Sequence, residues 1–265
     1  GSPSYKNNFD GKIAQVFAYS SALSASDVLS NYNATKSNYH ELITTNLVLH
    51  LDASNSNSYS GSGTTWTDLS GISNNGTLIN GPTYSSDNGG SIVFDGSDDK
   101  VDINGNSSSF VLGSDNFTAE VWVRFDSVSS GGIISKHADS VPQWFELRIG
   151  NSGYILTQIS LNGTSWGVSY QSTTSVTTNQ WYNLTLVRSG SSFKTYINGV
   201  DGGGSGSSSS SISNNTSYPL RIGLRGGDDQ PLDGRVAVVR LYKGIGFTDS
   251  QVIQNYNSSK TTYGY

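Results

Sequence analysis

One segment of the chain occurs twice. Phe9-Asp10-Gly11-Lys12-Ile13-Ala14-Gln15-Val16-Phe17-Ala18-Tyr19 returns as Leu232-Asp233-Gly234-Arg235-Val236-Ala237-Val238-Val239-Arg240-Leu241-Tyr242, and the likeness continues from Ser24–Asn33 into Thr248–Asn257. Residues 1–40 thus match residues 224–263. Self-similarity of this kind marks a repeated structural unit. The expected division is therefore residues 1–40 as the C-terminal remnant of an upstream repeat, a strand plus a helix, and residues 41–265 as a complete repeat.

Each copy reads as a strand followed by a short helix. In the strand, Ala14, Val16 and Ala18, or Ala237, Val239 and Leu241, alternate with residues such as Gln15, Phe17 and Arg240, the period of a half-buried strand. Ser24 and Thr248 stand where an N-cap belongs, with Asp27 and Gln251 three residues later, the spacing of a capping box. The complete copy already owns its final strand, so residues 11–19 are expected to form an orphan strand. Its Ala14, Val16 and Ala18 are expected to pack on another copy or on the upstream part of the same protein, because unpaired strand edges seek partners.

Between the copies lie short extended segments at 46–52, 91–95, 101–103, 117–125, 132–136, 145–150, 154–161, 167–170, 180–188, 193–197 and 220–223. Asn198-Gly199 is the strongest hairpin signal, since both residues tolerate positive φ. Gly202–Asn215 is Gly/Ser-rich and reads as a mobile surface loop. The fold class is therefore all-β: a two-sheet antiparallel jelly-roll sandwich over 42–263 with a short C-terminal helix. Its expected core includes Leu49, Val93, Trp122, Trp181, Leu184, Val239 and Leu241. The helix, Asp249–Asn257, is expected to lie on the sandwich through Val252, Ile253 and Tyr256, because so short a helix needs tertiary packing.

Composition narrows the function. A net charge of −5 without a Lys/Arg cluster argues against nucleic acid and membrane surfaces as partners. No apolar run approaches the roughly 20 residues that span a bilayer. Cysteine is absent, so neither disulfides nor thiolate metal sites can form.

Several stretches, in order, resemble the concanavalin A-like lectin/glucanase family and its laminin G-like group. They are Leu47-Val48-Leu49-His50-Leu51-Asp52-Ala53, Trp66-Thr67-Asp68-Leu69-Ser70-Gly71, Phe94-Asp95-Gly96-Ser97-Asp98-Asp99 and Phe117-Thr118-Ala119-Glu120-Val121-Trp122-Val123. Gln180-Trp181-Tyr182-Asn183-Leu184-Thr185-Leu186-Val187-Arg188, Tyr196-Ile197-Asn198-Gly199-Val200 and Asp233-Gly234-Arg235-Val236-Ala237 complete the series. The Gly/Ser/Asn-rich wording is also similar to modules of marine bacteriophage structural proteins. The resemblance implies a concanavalin A-like jelly roll, and for some members a calcium ion at the rim.

Glycanases of this fold place paired carboxylates on one strand, about 5 Å apart in retaining enzymes. Here Glu41, Glu120 and Glu146 are widely separated. His40, His50 and His137 lack metal spacing, and no Ser/His/Asp set is legible. Asp95, Asp98 and Asp99, with Asp102 close by, put clustered oxygens on a turn, the donors calcium prefers; the same residues also make ordinary turns. Trp144, Trp166, Tyr154 and Tyr170 lie in the middle strands, where aromatic faces either stack on sugars or fill the core. The reading is a non-enzymatic structural or adhesive surface module of a virion or extracellular assembly, built from tandem laminin G-like repeats. The alternative is a carbohydrate-binding, lectin-like module using calcium.

Overall fold

Extended segments with apolar residues at alternate positions pair into two antiparallel sheets within Glu41–Tyr265. The computed structural model describes residues 13, 15–35, 41–104, 107–138, 141–214, 217–227 and 229–265. The chain divides into two units, Gly1–His40 and Glu41–Tyr265.

In the larger unit the first sheet runs β14 (Val200–Ser207), β13 (Ser192–Ile197), β12 (Trp181–Ser189), β7 (Phe117–Phe125), β16 (Asp233–Lys243), β5 (Ser91–Asp95), β4 (Thr83–Ser85), with β1 (Leu47–Asp52) also paired to β16. The second runs β11 (Trp166–Ser175), β10 (Tyr154–Ser160), β9 (Val141–Ile149), β8 (Gly131–Ala138), β15 (Leu220–Ile222), β6 (Lys100–Ile103), β3 (Gly76–Ile79), β2 (Thr65–Trp66). Leu49, Leu184, Val239 and Leu241 sit in the core between the sheets, as expected.

Three core expectations need correction. Val93 is only half-buried while its neighbours Ile92 and Phe94 point inward; three successive apolar residues conceal the phase of that strand. Trp122 and Trp181 are buried, but on the opposite face of the first sheet, with Ala237, Val238 and Tyr263. That face is covered by helix α2 (Asp249–Ser259) and the turn that follows it. Strand β7 is consequently buried at every position but Arg124, so it loses the alternation a one-sided strand would show.

Helix α2 starts at Thr248 in a full capping box with Gln251. Its sheet-facing residues are Val252 and Asn255, with Tyr256 stacked on Trp122 at 5.6 Å. Ile253 is 43 % exposed, contrary to expectation. The helix is rotated so that Asn255, not Ile253, meets the sheet, because a buried carboxylate there needs donors.

The Gly/Ser-rich segment is not a loop throughout. Its first half is strand β14, joined to β13 by a tight turn with Asn198 at φ 53° and Gly199 at φ 78°. Here glycine has a packing purpose: β14 and β11, the edges of the two sheets, meet backbone to backbone. A Cβ on Gly204 would lie 2.1 Å from the Gln171 carbonyl oxygen, and one on Gly206 would lie 2.3 Å from Val168 Cγ1. Gly204→Ala should therefore lower the unfolding free energy by about 1–3 kcal/mol, read from urea midpoints. An unchanged midpoint would show that these edges part freely.

In the N-terminal unit, α1 (Ala25–Thr35) begins as expected at Ser24, whose hydroxyl accepts from Asp27 N at 3.2 Å while Asp27 accepts from Ser24 N at 3.1 Å. Of the strand expected over 11–19, the described residues 13 and 15–19 have no strand pairing and are exposed, Val16 and Ala18 among them. Ala14 lies outside the described residues. A strand exists only as a paired element, and residues 15–19 meet no second strand among the described residues.

Candidate ligand-binding surfaces

The two glutamates placed on sheet strands, Glu120 and Glu146, are both buried and engaged. On β7, Glu120 accepts from Asn183 Nδ2 at 2.8 Å, Arg240 Nη1 at 3.2 Å and Asn255 Nδ2 at 3.0 Å. This network ties β7, β12, β16 and α2 together. On β9 of the other sheet, Glu146 is held by Arg148 at 3.0 Å and Arg225 at 3.1 Å. Glu41 is exposed, ahead of β1. The three are therefore not assembled as an acid and nucleophile about 5 Å apart.

His50, on β1, is half-buried beside the first network. Burial, reinforced by the Arg240 charge, pushes its imidazole down to about 4. His40 lies outside the described residues.

The four aromatic candidates do not form one surface. Trp144 is fully buried, its ring against Phe145 at 3.8 Å and Phe110 at 6.2 Å, so it has no face for a sugar. Tyr170 pairs across from Thr157 and points into the sandwich, where its hydroxyl lies 3.2 Å from Thr195 Oγ1. Burial pushes that hydroxyl up to about 12. Tyr154 shares the opposite face of β10 with Leu156 and Gln158, and Trp166 is half-buried at the start of β11. Tyr154 and Trp166 keep partial exposure; Trp144 is a correction.

Asp95, Asp98 and Asp99 do converge, with one carboxylate oxygen from each within 4.8 Å of the others. Burial, together with the charges of Asp95 and Asp98, pushes the Asp99 carboxyl up. Asp99 Oδ2 accepts from Asp95 N at 3.1 Å, and Asp95 Oδ1 from Ser97 N at 2.9 Å. Asp102 stands apart in an ion pair with Arg221 at 2.8 Å. Three hard oxygen donors match calcium in kind.

Grooves open on the larger unit among the described residues. One, of about 480 Å³, lies between Val187, Ser189, Ser192, Lys194, Tyr196 and the start of α2. Its charged groups are already satisfied: Lys194 pairs with Asp201 at 3.0 Å, and the Tyr196 hydroxyl donates to Asp249 at 2.7 Å. The second, of about 470 Å³, is lined by Asn88, Arg124, Asn179, Gln180, Trp181, Tyr263, Gly264 and Tyr265. The Trp181 and Tyr263 rings lie 5.1 Å apart. Trp181 Nε1 donates to Asn88 Oδ1 at 3.3 Å, and the Tyr265 hydroxyl to the Trp181 carbonyl. Asn179 and Gln180 are exposed, and Tyr265 is half-exposed. Trp181 and Tyr263 are buried, so half-exposed Tyr265 is the aromatic face the groove offers; beside amides and a guanidinium it suits a ligand with alternating apolar and hydroxyl faces. Sequence reasoning missed this groove because its residues come from four separated segments; Gln180-Trp181 was the one legible signal.

Comparison with known proteins follows the same line. The laminin G-like family model described as "Concanavalin A-like lectin/glucanases superfamily" matches residues 95–252. Among solved structures, the chain is similar to the binding domain of Paraclostridial Mosquitocidal Protein 1, with 16 % identity and TM-score 0.66 over 81 % of this chain and 52 % of that one. It is also similar to the binding domain of botulinum neurotoxin DC in complex with rat synaptotagmin II, with 14 % identity and TM-score 0.62 over 82 % and 52 %. A third is domain 4 of AbnA, an extracellular arabinanase from Geobacillus stearothermophilus, in complex with arabinotriose, with 17 % identity and TM-score 0.54 over 79 % and 98 %. The chain spans about half the length of the toxin domains, and at these identities the likeness shows the fold alone. No curated protein matches the chain. Among the described residues no helix is long and apolar enough to cross a membrane. With a family match over more than half its length and a two-sheet jelly roll beneath it, the chain belongs to the concanavalin A-like lectin/glucanases superfamily.

Proposed function

We propose that residues 41–265 form a non-enzymatic adhesive module that binds glycans, displayed as one of several tandem repeats on an extracellular or virion surface. The groove edged by Tyr265 carries this reading: it sets one half-exposed aromatic ring beside Arg124, Asn179 and Gln180, the pairing of stacking surface and planar hydrogen-bonding groups that orients a sugar. The neighbours support it, since one is a toxin binding domain in complex with N-acetylneuraminic acid and another was solved with arabinotriose. Asp95, Asp98 and Asp99 are the residues that would hold calcium, whose role would be to fix the rim turn.

A glycan array probed with the intact chain tests the reading. Binding should fall at least tenfold, about 1.4 kcal/mol, in Gln180→Ala and in Tyr265→Ala, whose side chains lie at the groove. Chelator should weaken binding and lower the thermal midpoint if calcium orders the rim, because an ion that binds only the folded state stabilises it. An array on which neither variant differs from the parent would sink the groove as the glycan site.

A further inference from the structure

The two capped helices preserve one side-chain hydrogen bond. In the sandwich, Asn255 of α2 donates to the hydroxyl of Tyr242, at the end of β16, at 2.8 Å. In the N-terminal unit the matching Asn31 donates to the matching Tyr19 hydroxyl at 3.0 Å. The strand-end residue and the helix are thus joined alike in both copies. Their surroundings differ. Val239 and Val252 are 0 % and 1 % exposed, whereas their counterparts Val16 and Val28 are 77 % and 56 % exposed. Phe17 and Leu29 are also more than half exposed. An arrangement that in one copy is seated on a sheet is present in the other with its apolar side chains in solvent.

We propose that residues 13–35 are a docking element that completes another jelly roll of this family, one lacking its own last strand, with 13–19 entering as that strand and α1 as the covering helix. Strand addition to an open sheet position would supply ladder partners to residues 16–19. Phe17 defines the acceptor further. It stands where β16 has Arg240, and Arg240 faces Glu120 across the β16–β7 ladder. A phenyl ring there would leave a buried carboxylate without its guanidinium. The acceptor is therefore apolar at the position of Glu120, and a second copy of this chain is not the partner.

The test uses the tagged full chain as donor and, as acceptor, residues 41–231 of this sequence, which lack β16 and α2, carrying Glu120→Leu. The acceptor with Glu120 retained, co-expressed with residues 232–265, is the control for acceptor competence and should be recovered soluble. The full chain should then capture the Glu120→Leu acceptor at least tenfold better than the Glu120 acceptor. Val16→Asp in the donor, at an exposed position outside the sandwich, should abolish capture, as should removal of residues 1–40. Failure of capture alongside a working control, equal capture of both acceptors, or capture indifferent to Val16→Asp would each overturn the proposal.

Discussion

Replacing Arg240 by Leu lowers the unfolding free energy by about 3–5 kcal/mol, measured as a shift of the urea midpoint at constant slope. Arg240 and Glu120 are 4 % and 1 % exposed, and Nη1 lies 3.2 Å from Oε1. Removing one partner strands a charge in a site that water does not reach, while the two amides of Asn183 and Asn255 remain as neutral donors only. The size of the loss thus comes from desolvation more than from the pair's own attraction. The double replacement Arg240→Leu with Glu120→Leu should recover much of the loss, giving a coupling energy well above that of independent sites. If both single variants unfold like the parent, the network does not hold α2 to the sheet.

This network also shows where sequence reading stops. The alternation of Leu47, Leu49 and Leu51, the Asn198-Gly199 turn and the capping box at Thr248 are local signals, and each appears in the fold where expected. Strand β7 gave a misleading signal because it is covered twice, by the second sheet and by α2, so Trp122 could be read as buried but not on which side. Trp144 follows Gln143 in sequence yet is enclosed by Phe110, a contact between residues 34 apart that no local pattern reports. Gly202–Ser207 looked incapable of burial because glycine buries no side chain. Its use is the reverse: the missing Cβ atoms let β14 approach β11. The groove at Trp181 and Tyr265 is likewise a product of tertiary closure. The acidic turn is different, since Asp95, Asp98 and Asp99 are near neighbours in the chain and their convergence was legible.

The second large effect is a pH dependence set by His50. Its side chain is 13 % exposed, its Nε2 makes no hydrogen bond, and Asp52 Oδ2 is 3.9 Å away. Burial and the Arg240 charge lower its pKa to about 4, against the opposing pull of Asp52, Glu120 and Asp68. In the unfolded chain the same imidazole titrates near 6.5. Between those values the unfolded state binds a proton that the native state refuses, so stability rises with pH across the window and is lost as pH falls through it. The loss on acidification from about 6.5 to about 4 amounts to roughly 3 kcal/mol. Asp99 and Asp233, whose carboxyls are pushed up by burial and by neighbouring acids, act in the opposite direction near the lower end of the window. The His50 contribution is therefore read as the difference between the parent and His50→Gln. Urea titrations at pH 7.0, 6.0, 5.0 and 4.5 should show a falling midpoint in the parent and a much flatter one in the variant. In Arg240→Leu, where the repelling charge is gone, the window should move upward and narrow. Parallel curves for parent and His50→Gln would show that the imidazole is protonated in the folded state as readily as in water.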